Sequence, residues 1–139
     1  MLKIKKLHPD AVLPAYANPG DAGMDLYANE TVEVKPQQRY LVSTGISMAI
    51  PHGYVGLIWD KSGIAAKTGL KTMGGVVDSS YRGEVKIIVH NLSQESYLVE
   101  KGKKVAQMLI QPVEQRAIVE VDLLEETQRG DGGFGSTGL

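Results

Sequence analysis

Apolar and polar residues alternate along much of the chain with a period of two, the signature of half-buried strands. Thr31-Val32-Glu33-Val34-Lys35 shows it. So does Gly45-Ile46-Ser47-Met48-Ala49-Ile50, which stops at the turn signal Pro51-His52-Gly53. Further strands are expected over Tyr54 to Trp59, Glu84 to Asn91, Tyr97 to Val99, Val105 to Ile110 and Ala117 to Val121, with Gly or Pro at most of the joints. Many short strands with frequent turns predict an all-β sandwich, jelly roll or barrel.

One segment breaks the alternation. Ser62-Gly63-Ile64-Ala65-Ala66-Lys67-Thr68-Gly69 reads as a short helix. Ser62 is the expected N-cap, Lys67 suits the negative end of the dipole, and Gly69 can take the left-handed position that closes the helix. About two turns are not stable alone, so the sheet must hold them. The tail differs again. Arg129 to Gly138 contains five glycines and a single aromatic, Phe134. It cannot bury a core of its own and is expected to be flexible or to fold onto something else. The organisation expected is one domain over residues 1–125, with 126–139 as a flexible lid belonging to it.

Composition narrows the function classes. The chain has 139 residues, enough for one core, and 42% are hydrophobic. Its 15 Lys and Arg against 16 Asp and Glu leave a net charge of −1, which argues against a broad nucleic-acid surface but not against one anionic ligand. No apolar run approaches a membrane span and no signal peptide is visible, so a cytoplasmic protein is the default expectation. The lack of cysteine removes disulfides, zinc–thiolate sites and thiol nucleophiles. His8, His52 and His90 have no metal-ligand spacing.

Four segments are candidates for chemistry. Asp21 to Leu26 reads as a loop entering a strand with Met24 and Leu26 inward, or as a site in which Asp25 is a buried carboxylate orienting its neighbours. Asp60-Lys61-Ser62-Gly63 is a plain cap beside a surface ion pair, or a phosphate cradle at a helix start. Gly74 to Gly83 frames a turn or a ligand loop. There, tandem glycine would let a base approach the backbone, Asp78 could take a proton from water, and Tyr81 could lie flat against a sugar. In the tail, Phe134 could stack on a base and Arg129 could pair with a terminal phosphate. Gly130 to Thr137 has the spacing of a P-loop, but Ser136 stands where its lysine belongs and no helix can follow.

Taken together, in order, these segments resemble the five motifs of the homotrimeric dUTP diphosphatase (dUTPase) family. The first is Ala22-Gly23-Met24-Asp25-Leu26-Tyr27-Ala28 and the second Asp60-Lys61-Ser62-Gly63-Ile64-Ala65. The third is Gly75-Val76-Val77-Asp78-Ser79-Ser80-Tyr81-Arg82-Gly83 and the fourth Gly102-Lys103-Lys104-Val105-Ala106-Gln107. The fifth is Arg129 to Gly138. The resemblance implies a jelly-roll-like β fold, a homotrimer with sites shared between subunits, and Mg2+-dependent hydrolysis of dUTP to dUMP and diphosphate. That reaction keeps uracil out of DNA and supplies dUMP for dTMP synthesis. By motif position Asp78 would activate the attacking water and Asp25 would support it. Gly75, Val76 and Val77 would read uracil and Tyr81 would pack on deoxyribose. Lys61, Ser62, Gly63 and Gln107 would line the phosphates, and Lys86, in the following strand, would contact the substrate. Arg129, Phe134, Gly135, Ser136 and Thr137 would close over the nucleotide. The metal would be held mainly by substrate phosphates and water, with Asp25 a candidate for contact through water.

This sequence departs from the family pattern in three places. Lys61 stands for an arginine, Lys103 for an acidic residue and Ser80 for a second aspartate. Lysine keeps the charge at position 61 but loses the two-pronged geometry. Two rivals share the fold. A dCTP deaminase would place a glutamate in or just after the third-motif strand, where Glu84 is the nearest candidate. A non-catalytic nucleotide-binding regulator would retain binding without turnover.

Overall fold

In a computed structural model that describes residues 1–134, eleven strands and one helix enclose a single core. The elements are β1 (Lys3–Lys6), β2 (Met24–Tyr27), β3 (Val32–Val34), β4 (Arg39–Ser43), β5 (Ile46–Ala49) and β6 (Tyr54–Asp60). Then follow α1 (Ser62–Thr68), β7 (Leu70–Met73), β8 (Val76–Val77), β9 (Lys86–Asn91), β10 (Tyr97–Val99) and β11 (Lys104–Pro112). This is the jelly-roll-like all-β architecture that the pattern predicts.

All strand pairings are antiparallel. The largest sheet runs β2-β11-β6-β8, a second runs β4-β9-β7, and the pairs β1-β5 and β3-β10 complete the wrap. One face of each long strand turns inward, as antiparallel sheets allow. In β9, Ile87 and Val89 are fully buried while Lys86 points to solvent. Leu26, Val34, Val42, Ile46, Val99 and Met108 join them from other strands, so side chains remote in sequence share one interior. Each such burial contributes roughly 1.5–3 kcal/mol.

The helix deviates from its expected cap. Lys61, not Ser62, is the extended N-cap residue, and Ser62 is already helical, with no side-chain cap bond. The other end is as expected: Gly69 is left-handed and its N–H bonds to the Ala65 carbonyl. No residue of α1 is fully buried. Ala117 to Val121 also deviates. The alternation there predicts a strand, but among the described residues it joins no ladder, and Ile118 is 99% exposed. Alternation marks a segment that can pair; the described chain offers this one no neighbour. Strands β1, β4, β7 and β8 are additions to those expected from the pattern.

Candidate active site

The site residues fall into three separate groups in the chain. The first is at the β2 end of the large sheet. Asp25 lies inside β2, flanked by the buried Met24 and Leu26, and is only 3% exposed. Lys61 donates to its Oδ1, and Lys104 Nζ lies 2.7 Å from Oδ2. The second contact is a charge pair outside hydrogen-bond angles, so Oδ2 is a buried acceptor without a hydrogen-bond donor. Burial pushes the Asp25 carboxyl up, but Lys104 and Lys61 outweigh it and hold the group below the ordinary carboxylate value. The same partnership pushes the Lys104 ammonium up. Asp25 therefore carries its charge, and one of the expected phosphate ligands, Lys61, rests on it.

Gln107 pairs with Asp25 in register on β11 and donates Nε2 to the Asp60 carbonyl at 2.9 Å. Asp25, Asp60, Lys61, Gln107 and Gly23 line one open cavity of about 450 Å³. Ser62 and Gly63, beside Lys61, are exposed. Among the described residues no three His, Asp or Glu side chains converge as a metal cage. Both oxygens of this single buried carboxylate already face an ammonium, so a hard cation would reach it only through the waters it keeps.

The second group sits at the far edge. Val76 and Val77 form β8, paired to β6 opposite Leu57 and Gly56. Gly75 precedes them at φ +96°, and its carbonyl accepts from Ile58 N at 2.8 Å. An added Cβ there would lie 2.7 Å from the Ile58 carbonyl oxygen, so glycine is required. Asp78 follows on the surface, and its carbonyl accepts from Tyr81 N at 3.1 Å. Tyr81 Oη donates to the Glu84 carbonyl at 2.9 Å, which fixes the ring beside the loop. Gly75 to Asp78, Tyr81 and Lys86 line a second cavity of about 300 Å³. Glu84 closes its floor. The Glu84 carboxylate accepts from Ser43 Oγ and from Gly45 N, the latter at 2.9 Å, and lies 3.7 Å from Lys86 Nζ. Burial raises the Glu84 carboxyl, and these partners more than reverse it.

The third group is the tail. Arg129 is exposed and its Nε donates to the Gly132 carbonyl at 2.8 Å; Phe134 is fully exposed. Gly135, Ser136 and Thr137 lie outside the described residues.

The chain thus brings together Asp25, Lys61 and Gln107, and separately Gly75, Val76, Val77, Asp78, Tyr81 and Lys86, but not the two sets. Asp25 aligns with Gln107, Gln107 with Trp59, and Val77 with Gly56. Three strand spacings across the sheet and about four residue rises along it put Asp25 and Asp78 roughly 20 Å apart. Sequence reasoning missed Lys104 and the acceptor role of the Asp60 carbonyl. Lys104 stands inside the fourth motif, but the fold alone shows that it faces Asp25.

A model of the dUTPase family matches residues 10–138. The chain is 46% identical to a Clostridium kluyveri protein named deoxyuridine 5'-triphosphate nucleotidohydrolase, covering 99% of this chain and 97% of that protein. It superposes on a Staphylococcus bacteriophage 80alpha dUTPase solved with dUPNHPP at a TM-score of 0.91, with 30% identity and coverage of 100% and 99%. A variant dUTPase from phage phi11 of S. aureus, described with a coordinated structural Mg(II) ion, is 27% identical at a TM-score of 0.85, covering 91% of this chain and 99% of that one.

Proposed function

The chain belongs to the dUTPase family, and from that premise we propose that it hydrolyses dUTP to dUMP and diphosphate with Mg2+, in sites shared between the subunits of a homotrimer. The observation that carries the shared site is the separation of Asp25 from Asp78 at opposite edges of one sheet. Two carboxylates roughly 20 Å apart cannot attend the same phosphorus. If both serve one site, they come from different copies.

In this reading the base and sugar enter the cavity at Gly75 to Asp78. Its volume of about 300 Å³ is at the small end of ligand clefts, which suits a nucleoside rather than a whole nucleotide. The backbone of Gly75, Val76 and Val77 reads the uracil edge, and thymine's methyl has no room. Tyr81, tethered to Glu84, lies against the deoxyribose and disfavours a 2'-hydroxyl. Lys86 supports the substrate from β9. From another copy, Lys61, Ser62, Gly63 and Gln107 line the phosphates. Asp78 takes a proton from the water that attacks the α-phosphorus, and diphosphate leaves.

Residues 126–139 act as a lid in trans. Arg129 meets the γ-phosphate, Phe134 covers the uracil, and Gly135, Ser136 and Thr137 add hydrogen bonds. Bound Mg2+ supplies the charge neutralisation that Lys61 and Arg129 cannot provide alone for a triphosphate. The phosphates and water hold it, with Asp25 in contact through water. The buried, charged Asp25 carboxylate, with both oxygens already against ammonium groups, suits contact through water rather than direct ligation. The reaction serves the cytoplasmic nucleotide pool; no described helix is long and apolar enough to cross a membrane.

The test is diphosphate release from dUTP, dTTP, dCTP and UTP with and without Mg2+, on protein whose mass in solution is measured. Release from dUTP alone, dependent on Mg2+ and in a trimer, is expected. Ammonia from dCTP would replace this reading with deamination, and tight dUTP binding without diphosphate would replace it with a regulator.

A further inference from the structure

Asp60 opens the second motif but has no role among those assigned above, yet four interactions converge on it. Its Oδ1 accepts from Thr72 N at 2.6 Å and from Thr72 Oγ1 at 2.8 Å, and its Oδ2 accepts from Lys71 Nζ at 2.6 Å. Its carbonyl accepts from Gln107 Nε2. Burial raises the Asp60 carboxyl, and Lys71 and Thr72 overrule it, so the group is ionised at neutral pH.

The placement of these contacts gives them their effect. Asp60 is the last residue of β6 and Thr72 lies in β7, so the carboxylate bolts together the two strands that flank α1. That helix spans seven residues, has no fully buried side chain and lacks a side-chain cap, so beyond the half-buried Ile64 against the core it has little of its own to fix it. Lys61, Ser62 and Gly63 hang from the bolt directly. Gln107 hangs from the Asp60 carbonyl, and it fits there because position 23 is glycine: a Cβ on Gly23 would fall 2.4 Å from Gln107 Oε1.

We propose that Asp60 is a positioning residue for the phosphate half of the site, holding Lys61, Ser62, Gly63 and Gln107 in one arrangement through its clamp on Thr72 and Lys71. The proposal rests on the dUTP reading for what that half binds. The base cavity is braced separately, by β8 pairing with Gly56 and Leu57 and by the Gly75 carbonyl accepting from Ile58 N, none of which passes through the Asp60 carboxylate.

An Asp60→Asn chain keeps the size of the side chain but offers one acceptor oxygen, so an amide NH2 must face either the Thr72 donors or the Lys71 ammonium, and the negative charge is lost. The kcat/KM for dUTP should fall at least about tenfold, while the inhibition constant of deoxyuridine, which reaches only the base cavity, should stay within about twofold. Thr72→Val, which removes one of the donors, should shift the same ratio less, and Thr72→Ser should restore it. Hydrogen exchange in the nucleotide-free protein should speed up about tenfold or more over residues 61–72 and stay unchanged over 97–99, which pair with β3 and not with β6 or β7.

Unchanged kcat/KM in both Asp60→Asn and Thr72→Val would overturn the proposal. So would a deoxyuridine constant that weakens in step with dUTP, or exchange over 61–72 that does not move. If Asp60→Asn does not fold, Thr72→Val and Thr72→Ser decide. Failure of the dUTP reading shows separately, as a native protein that releases no diphosphate, and the exchange result stands without it.

Discussion

Mixing two inactive chains tests the shared site most directly. Asp25→Asn damages the phosphate group of residues, and Asp78→Asn removes the general base. Each variant alone should lose most turnover. Suppose each site draws Asp25 from one copy and Asp78 from another, as their separation at opposite edges of the β2-β11-β6-β8 sheet requires. In randomly reassembled trimers a site is intact only when its Asp25 donor is an Asp78→Asn chain and its Asp78 donor is an Asp25→Asn chain. At equal proportions those conditions hold half the time each, so activity should recover to about a quarter of the native value in a closed ring of three.

The dependence on mixing ratio is more diagnostic than the level. Intact sites scale as the product of the two fractions, so activity should follow a symmetric dome that peaks at equal mixing and vanishes at both ends. Chains would be co-refolded from denaturant, sized to confirm the oligomer, and assayed for diphosphate release. Asp25→Asn leaves the Lys61 and Lys104 ammonium groups without their carboxylate, so its folding must be checked by thermal unfolding before mixing. Should it fail, chains lacking 129–139 take its place as the partner of Asp78→Asn. A straight line between the parents at every ratio would refute the shared site, since each subunit would then hold both carboxylates of its own site.

Three further outcomes are expected. Deleting residues 129–139 should leave the melting temperature and oligomer unchanged but lower kcat for dUTP by about tenfold or more, because closure is lost; a collapsed oligomer on a sizing column would make the tail structural instead. Gly75→Ala must either strain a φ of +96° or push off the Ile58 carbonyl, so stability should drop by about 1–3 kcal/mol in denaturant titrations and KM for dUTP should rise. The third concerns acid. Asp25, Asp60 and Glu84 are all held below their ordinary values of 3.8, 3.8 and 4.5 in the folded chain. A depressed carboxylate contributes stability that is full above its ordinary value and lost as pH falls through its folded value. Melting temperature should therefore hold level above about pH 5 and fall steeply below about pH 4, with the acid slope reduced in Asp60→Asn; a flat profile to pH 3 would contradict the ion pairs.

Period-two alternation made most strands legible, because burial on one face writes itself into neighbouring letters. It placed Tyr97–Val99 to the residue, and β6, β9 and β11 to within two. Leu70–Met73 alternates in burial, but its letters read apolar, polar, polar, apolar, and four residues between Gly69 and Gly74 are too few to separate strand from turn. Val76–Val77 is a strand only because β6 lies beside it. Ala117 to Val121 is the converse: the same pattern with nothing in the described chain to pair against. The motifs made Asp25 and Asp78 legible as chemistry, while nothing in their spacing says that they stand at opposite edges of a sheet.

That last point identifies what the linear code withholds. Lys61 and Lys104 meet Asp25, and Gln107 meets the Asp60 carbonyl, only because β2, β11 and β6 align in one register. Register is set by turns and by which face must be buried, so a one-residue slip would move Asp25 to the opposite face and put Met24 and Leu26 where the carboxylate had been. The buried neighbours of Asp25 therefore do chemical as well as structural service. Met24 and Leu26 cannot leave the core, and their burial forces the carboxylate between them into a fixed place beneath two ammonium groups. Replacing either with a polar residue should disturb the ion pairs as surely as replacing a lysine, although neither touches a phosphate in the site proposed.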